Sequence, residues 1–225
     1  HALYTAFGNS AFYTIVGTVL NLIFTCLAAY PLSRRHFVFR KQLNFFLALT
    51  MYFSGGLIPS YILLTRLGFY NSRWVMVIPC LLSAYNVMVL RSAFGELSNE
   101  LIESAEIDGA NDWIILLKIG VPLVKPTLAV LALYYAVAHW NDFFTAQIYL
   151  GKTELQPLQL LLRRVLLEAS AEMLNNVDAK TLNLAAATIQ VRYVTIVVAT
   201  VPILALYPFL QKYFVKGIML GAVKG

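Results

Sequence analysis

The run AFYTIVGTVLNLIFTCLAAYPLS, residues 11–33, places 23 positions in a row without a charged side chain and stops at Arg34 and Arg35. About 20 apolar residues in a helix cover the hydrocarbon core of a bilayer, and a helix satisfies its own backbone polar groups there. The run therefore predicts a membrane-spanning helix. Composition argues against a soluble core helix instead: 60% of the 225 residues are apolar and 12% are charged. A soluble domain carries roughly 25% charged residues to cover its surface.

Four further runs follow. QLNFFLALTMYFSGGLIPSYILLT, residues 42–65, carries Gly55, Gly56 and Pro59, which predict a kink or a broken helix. WVMVIPCLLSAYNVMVL, 74–90, is just long enough to span; the fourth runs from Pro126 to Leu150, and the fifth is YVTIVVATVPILALYPFLQ, 193–211. The predicted fold class is all-α, a polytopic membrane protein with five transmembrane helices forming one domain over residues 1–225.

Orientation follows from the basic residues. Arg34, Arg35, Arg40 and Lys41 crowd the first short loop and make it cytoplasmic. Alternation then puts ten Lys/Arg inside and seven outside. On this topology the 91–125 loop is inside, the 151–190 segment outside, and the tail with Lys212, Lys216 and Lys224 inside. The net charge of +6 reads as topology, with no nucleic-acid module beside it. The chain begins at His1 with no secretory signal pattern, and reads as lacking an earlier segment.

Chemistry within the chain is sparse. Cys26 and Cys80 lie in apolar runs and read as small hydrophobes, while His1, His36 and His139 have no metal-ligand spacing. HExxH, GxSxG and Walker A patterns are absent. The expectation is a chain with no metal, no bound cofactor and no catalytic residues.

Against that background ESAEIDGANDWIILLKIGVP, residues 103–122, stands out for its acids. Leu97, Leu101 and Ala105 recur every four residues beside Glu96, Glu100 and Glu103, which predicts a short amphipathic helix. Gly109 after Asp108 is a left-handed stop, Asn111 caps a second helix, and apolar character resumes from Trp113 to Ile119 before Pro122. Helix, glycine turn and helix, over about 95–122, make a shape suited to docking on a partner.

The segment resembles the signature loop of permease subunits in ABC importers that work with binding proteins, E-A-A-x3-G-x9-I-x-L-P. Glu103, Ser104, Ala105, Gly109, Ile119, Val121 and Pro122 fall on its spacing, with Ser104 and Val121 as conservative departures. WNDFFTAQIYL (140–150) and the glycine-rich GIMLGAVKG (217–225) are similar to the carbohydrate branch of that family, the group of the maltose importer's smaller membrane subunit. The resemblance implies a type I importer core whose family first helix is missing here, in a bacterial cytoplasmic (inner) membrane. It implies a second homologous permease, two ATPase subunits that hold ATP and Mg, and an extracytoplasmic solute-binding protein. The loop then becomes the coupling helix. Glu103 would face a base on the ATPase, Gly109 would permit the turn, and Leu101, Ala105 and Ile107 would make apolar contact, with Ser104, Asp108 and Pro122 completing the motif.

Polar groups inside spans mark a solute path or a helix interface. The candidates are Tyr85, Asn86, Tyr134, Tyr135, His139, Trp140, Asn141 and Asp142, with Asn21 and Ser54. The Tyr134–Asp142 cluster suits a saccharide, and equally an interfacial aromatic belt. Residues 151–190 predict an amphipathic helix and a polar loop, either meeting the binding protein through Glu154, Arg163, Arg164 and Glu172 or lying flat on the bilayer. The basic tail either touches the ATPase or anchors at anionic headgroups. The substrate expected from the resemblance is a carbohydrate, such as an oligosaccharide of the alginate kind. An importer for another small solute, an ion-driven transporter and a membrane-embedded enzyme are the alternatives. Asp142 is the only acid within a predicted span, which weakens the ion-driven one.

Overall fold

The computed structural model describes residues 2–175, together with 190, 193, 194, 197, 198, 200–202 and 204. Among the described residues every regular element is helical, as predicted. The first, α1 (Ala2–Ser33), is one helix of 32 residues, about 48 Å long at 1.5 Å per residue. It begins nine residues ahead of the predicted start at residue 11. Asn9 and Ser10, polar residues in its first turns, are buried.

The second predicted span is broken outright. α2 (Arg40–Tyr52) and α3 (Leu57–Arg66) meet at 114° across the Ser54–Gly55–Gly56 run. Freed backbone groups are taken up locally: Ser60 Oγ donates to the Gly56 carbonyl at 2.8 Å, and Ser54 Oγ accepts from Gly56 N–H at 3.2 Å. No residue of either helix is buried. Two side-chain bonds tie α2 to the body. Arg40 Nε donates to the Leu32 carbonyl at 3.1 Å, and Asn44 Oδ1 accepts from the Arg91 guanidinium at 2.7 Å.

The third span is bent as well: 3-10 turns at Arg73–Met76 and Ile78–Cys80 lead into α4 (Ala84–Gly95) at 49°. Ser83 caps α4, its Oγ accepting from Asn86 N–H at 3.4 Å. α5 (Asn99–Ile107) follows, and then α6 (Asp112–Ile114), which runs through a π-helical stretch (Ile115–Gly120) into α7 (Val121–Leu123). α8 (Lys125–Asn141) turns from that segment by 81°, with Pro126 in its first turn.

The fourth predicted span, 126–150, needs correcting at its end. α8 stops at Asn141, and Asp142 Oδ1 accepts from Thr145 N–H at 3.0 Å to start a separate helix, α9 (Phe144–Tyr149). The predicted amphipathic helix is present as α10 (Leu158–Asn175). Among the described residues, α1 and up to three bent pairs are apolar and long enough to cross a membrane. The fifth predicted span, the polar stretch near residues 176–190 and the basic tail lie outside the described residues, apart from the individual positions named above.

Packing around α1 divides by height. Toward its Ser33 end, Ala29, Tyr30 and Leu32 meet Val87, Leu90, Phe94, Ile102, Ile115 and Leu131 in one apolar cluster. Toward its other end, Tyr13 meets Val75, Met76, Val77, Ala146 and Tyr149 in a second. Trp140 packs with Leu158 and Leu162 of α10 and with Val198. The α9–α10 connector is stapled to α1 by side chains. Asn9 Nδ2 donates to the Glu154 and Gln156 carbonyls (2.7 and 3.2 Å), Tyr13 Oη donates to the Leu155 carbonyl (2.7 Å), and Ser10 Oγ accepts from Leu158 N–H (2.8 Å). Those bonds explain why Asn9 and Ser10 are interior.

Candidate functional site

The α5–α6 segment is built by its caps. Gly109 has φ +81°, the left-handed region that favours glycine. Its N–H donates to the Glu106 carbonyl at 3.0 Å, and Ala110 N–H donates to the Ala105 carbonyl at 2.9 Å. This nested pair of bonds is a Schellman ending, with the Ala105 and Ala110 side chains both half-buried on the same cluster. Asn111 then starts the next helix, its Oδ1 accepting from Ile114 N–H at 2.9 Å. Glycine stop and asparagine cap both stand where the sequence predicts them.

Which side faces inward differs from the expectation. Ile102, not singled out in the sequence, is only 7% exposed and anchors α5 to Phe94 and its neighbours, while Ala105 is half-buried on the same cluster. Leu101 is 44% exposed, Ile107 86% and Trp113 62%. Those three, with Ile114 and Leu117 behind them, are apolar groups this segment offers outward, and Trp113 is absent from the predicted set. A large aromatic in the first turn after an asparagine cap was its signal. Ala105 sits half-buried on the anchoring side of α5. Glu103, Ser104, Asp108 and Pro122 are exposed. Glu103 and Glu106 line a groove of about 370 Å³ together with Arg34, Arg35 and Arg40. Arg34 lies over the Tyr30 ring at 4.6 Å, and Tyr30 stands edge-on to Phe94 at 5.6 Å, so the first basic loop packs against the body that seats α5.

The polar residues inside the spans divide into two sets. Tyr85 and Tyr134 are exposed on the chain's surface, as is Asn141, and Asp142 is half-buried at the break it caps. Asn86, Tyr135, His139 and Trp140 are buried. Tyr135 Oη lies 2.8 Å from Thr25 Oγ1, and His139 Nε2 lies 2.7 Å from Asn21 Oδ1. Phe7 stands edge-on to Trp140 at 5.8 Å. Within this chain the polar or aromatic faces of Tyr135, His139 and Trp140 are engaged by α1. Thr25 and Gly17, which complete this interface, were not singled out in the sequence. Small residues at a helix–helix contact are the signal that finds them.

On the α10 side, Arg163 donates to Gln147 Oε1 at 3.0 Å and lies over the Phe143 ring at 4.4 Å, and Arg164 donates to Gln156 Oε1 at 2.9 Å. Both are exposed, as is Glu154. The Glu172 side chain lies outside the described residues. Leu158 and Leu162 pack on Trp140, so the start of α10 is seated on the helical body. Among the described residues no cluster of His, Cys, Asp or Glu could hold a metal ion.

Comparison with known proteins agrees with this geometry. The family described as binding-protein-dependent transport system inner membrane component matches residues 12–220. LplC of Bacillus subtilis (strain 168) is 41% identical over 97% of this chain and 73% of its own length. The polygalacturonan/rhamnogalacturonan transport system permease protein YtcP of the same organism is 39% identical, over 99% and 78% respectively. Among solved structures, a crystal structure of a bacterial ABC transporter involved in import of the acidic polysaccharide alginate contains a chain with 33% identity and a TM-score of 0.84, covering 95% of this chain and 76% of that one. A capped helix–turn–helix on a bundle of apolar, repeatedly broken helices, together with a family match across nearly the whole chain, leads to one conclusion: this protein belongs to the binding-protein-dependent transport system inner membrane components, as a multi-pass permease subunit of an ABC importer.

Proposed function

We propose that this permease carries an oligosaccharide, released from a polysaccharide and delivered by an extracytoplasmic binding protein, across the membrane at the expense of ATP hydrolysed elsewhere. The observation that carries the reading is the α5–α6 turn, with exposed Leu101, Ile107 and Trp113 presented by a Schellman ending and an asparagine cap. On this reading the turn is cytoplasmic and inserts into an ATPase subunit that holds ATP and Mg. The working assembly has two such ATPases and a second homologous permease.

The apolar tip provides most of the grip, since burying one aliphatic side chain gives about 1.5–3 kcal/mol and an exposed ion pair about 0–1. Glu103, Ser104, Asp108 and Pro122 shape the acidic side and the second helix. Tyr85 and Tyr134, open on the chain's surface, are the residues best suited to line the path, with Asn86, Asn141 and Asp142 beside them. Aromatic faces and amides are what a sugar ring needs. The segment 151–190 meets the binding protein. Support for the substrate class comes from relatives named for polygalacturonan/rhamnogalacturonan and arabinooligosaccharides, and from the alginate importer. Uronate-bearing fragments are therefore the first candidates.

The test is ATP hydrolysis by the complete complex in liposomes with its binding protein, titrated with uronate oligomers, arabino-oligosaccharides, maltodextrins and free amino acids. Stimulation by one oligosaccharide class is expected. Stimulation by an amino acid and by no sugar overturns the substrate reading.

A further inference from the structure

Midway along α1, between its two apolar clusters, Gly17, Asn21 and Thr25 occupy one face at four-residue spacing, opposite Tyr135 and His139 of α8. Asn21 has no exposed surface, and its amide is fully used. Nδ2 donates to the carbonyls of Cys80 (2.5 Å) and Leu81 (3.0 Å), and Oδ1 meets His139 Nε2 at 2.7 Å. Since the amide N–H groups are given to carbonyls, Oδ1 is an acceptor, and His139 Nε2 must carry the proton.

The two carbonyls belong to the break between the Ile78–Cys80 turn and α4, where the helical ladder is interrupted. Inside a membrane such groups need a protein partner. The imidazole in turn sits against Gly17, where a Cβ would clash with ring atoms Nε2, Cδ2 and Cε1. One side chain of α1 thus joins α8 to the bend that leads into Tyr85 and Asn86.

We propose that Asn21 and His139, seated on Gly17, form a clasp that positions the Cys80–Ala84 bend, and with it the Tyr85–Asn86 turn of α4, against α8. The residues act through others: none of the three is offered to the solute. The transport consequence rests on the importer reading above, while the clasp itself does not.

Cys80 reports on the bend, because the residue reaches the surface of this chain while its carbonyl takes an Asn21 bond. In the complete complex with Cys26→Ala, labelling of Cys80 by a maleimide is followed by mass spectrometry of this subunit. His139→Leu removes the donor, and Gly17→Ala displaces the imidazole without removing a polar atom. His139→Gln restores an N–H donor. The labelling rate of this thiol is expected to change severalfold in the first two variants, as the bend that carries it shifts on loss of a buried hydrogen bond, and to return toward the parent in the third. The half-maximal sugar concentration for ATPase stimulation should rise in the same two variants by more than the maximal rate falls.

Unchanged labelling in assembled His139→Leu and Gly17→Ala complexes overturns the clasp. Changed labelling with an unshifted sugar response overturns its positioning role in transport. If no sugar stimulates the parent complex, the oligosaccharide reading fails, and the labelling ratio still decides the clasp.

Discussion

Replacing Gly109 tests whether the turn works through its backbone shape. At φ +81° an L side chain costs about 1–2 kcal/mol, and an ideal Cβ there meets nothing within 4 Å. Gly109→Ala therefore adds backbone strain without a clash, and keeps the N–H that donates to Glu106. If docking needs the turn as drawn, ATPase affinity falls by about 5- to 30-fold, at 1.4 kcal/mol per tenfold. Gly109→Asn tolerates this region better and should lose less than about fivefold. Gly109→Pro fixes φ near −65° and deletes the donor, so it ranks last. The assay is binding of the purified ATPase subunit to nanodisc-embedded complex, with stimulated hydrolysis read in parallel. Parent affinity in Gly109→Ala would refute the reasoning, because a positive φ would then not be required. A loss beyond about a thousandfold would also refute it, since strain of 1–2 kcal/mol cannot produce that and a direct steric contact would have to.

Three further outcomes are expected. Ile107→Ser should weaken ATPase association about tenfold or more and Glu103→Gln by less than about fivefold, measured in the same nanodisc assay. Phe94→Ala opens the cluster that seats α5 and should cost about 3–5 kcal/mol, seen as lost yield of monodisperse complex and a lower thermal aggregation temperature. Tyr13→Phe leaves the Leu155 carbonyl without its donor, at about 1–3 kcal/mol, and should speed proteolysis near residues 150–158 without changing ATPase affinity.

The parts of the molecule legible in the sequence are those set by local chemistry. Gly109 and Asn111 act within four residues of themselves, and the Ser54–Gly55–Gly56 break is likewise local. Long-range partners were not legible. Asn9 and Ser10 bond carbonyls and an N–H about 145 positions away, which is why α1 extends to Ala2. A polar residue in a span can serve a solute or a neighbouring helix, and sequence gives only its type. Within this chain His139 and Tyr135 bond the neighbouring helix. In α5, apolar Leu101 and Ile102 are adjacent and about 100° apart on the helix, so periodicity alone could not choose which anchors and which docks.

The central claim, that ATP hydrolysis on a partner reaches the solute through the α5–α6 turn, is met most directly by uptake of a labelled oligosaccharide into proteoliposomes of the complete complex. The account predicts uptake only with ATP and Mg on the ATPase side and with binding protein on the other, unaffected by ionophores, and lost in Gly109→Pro complexes that still contain all subunits. Uptake that continues without ATP, or that collapses with the ion gradient, would contradict it.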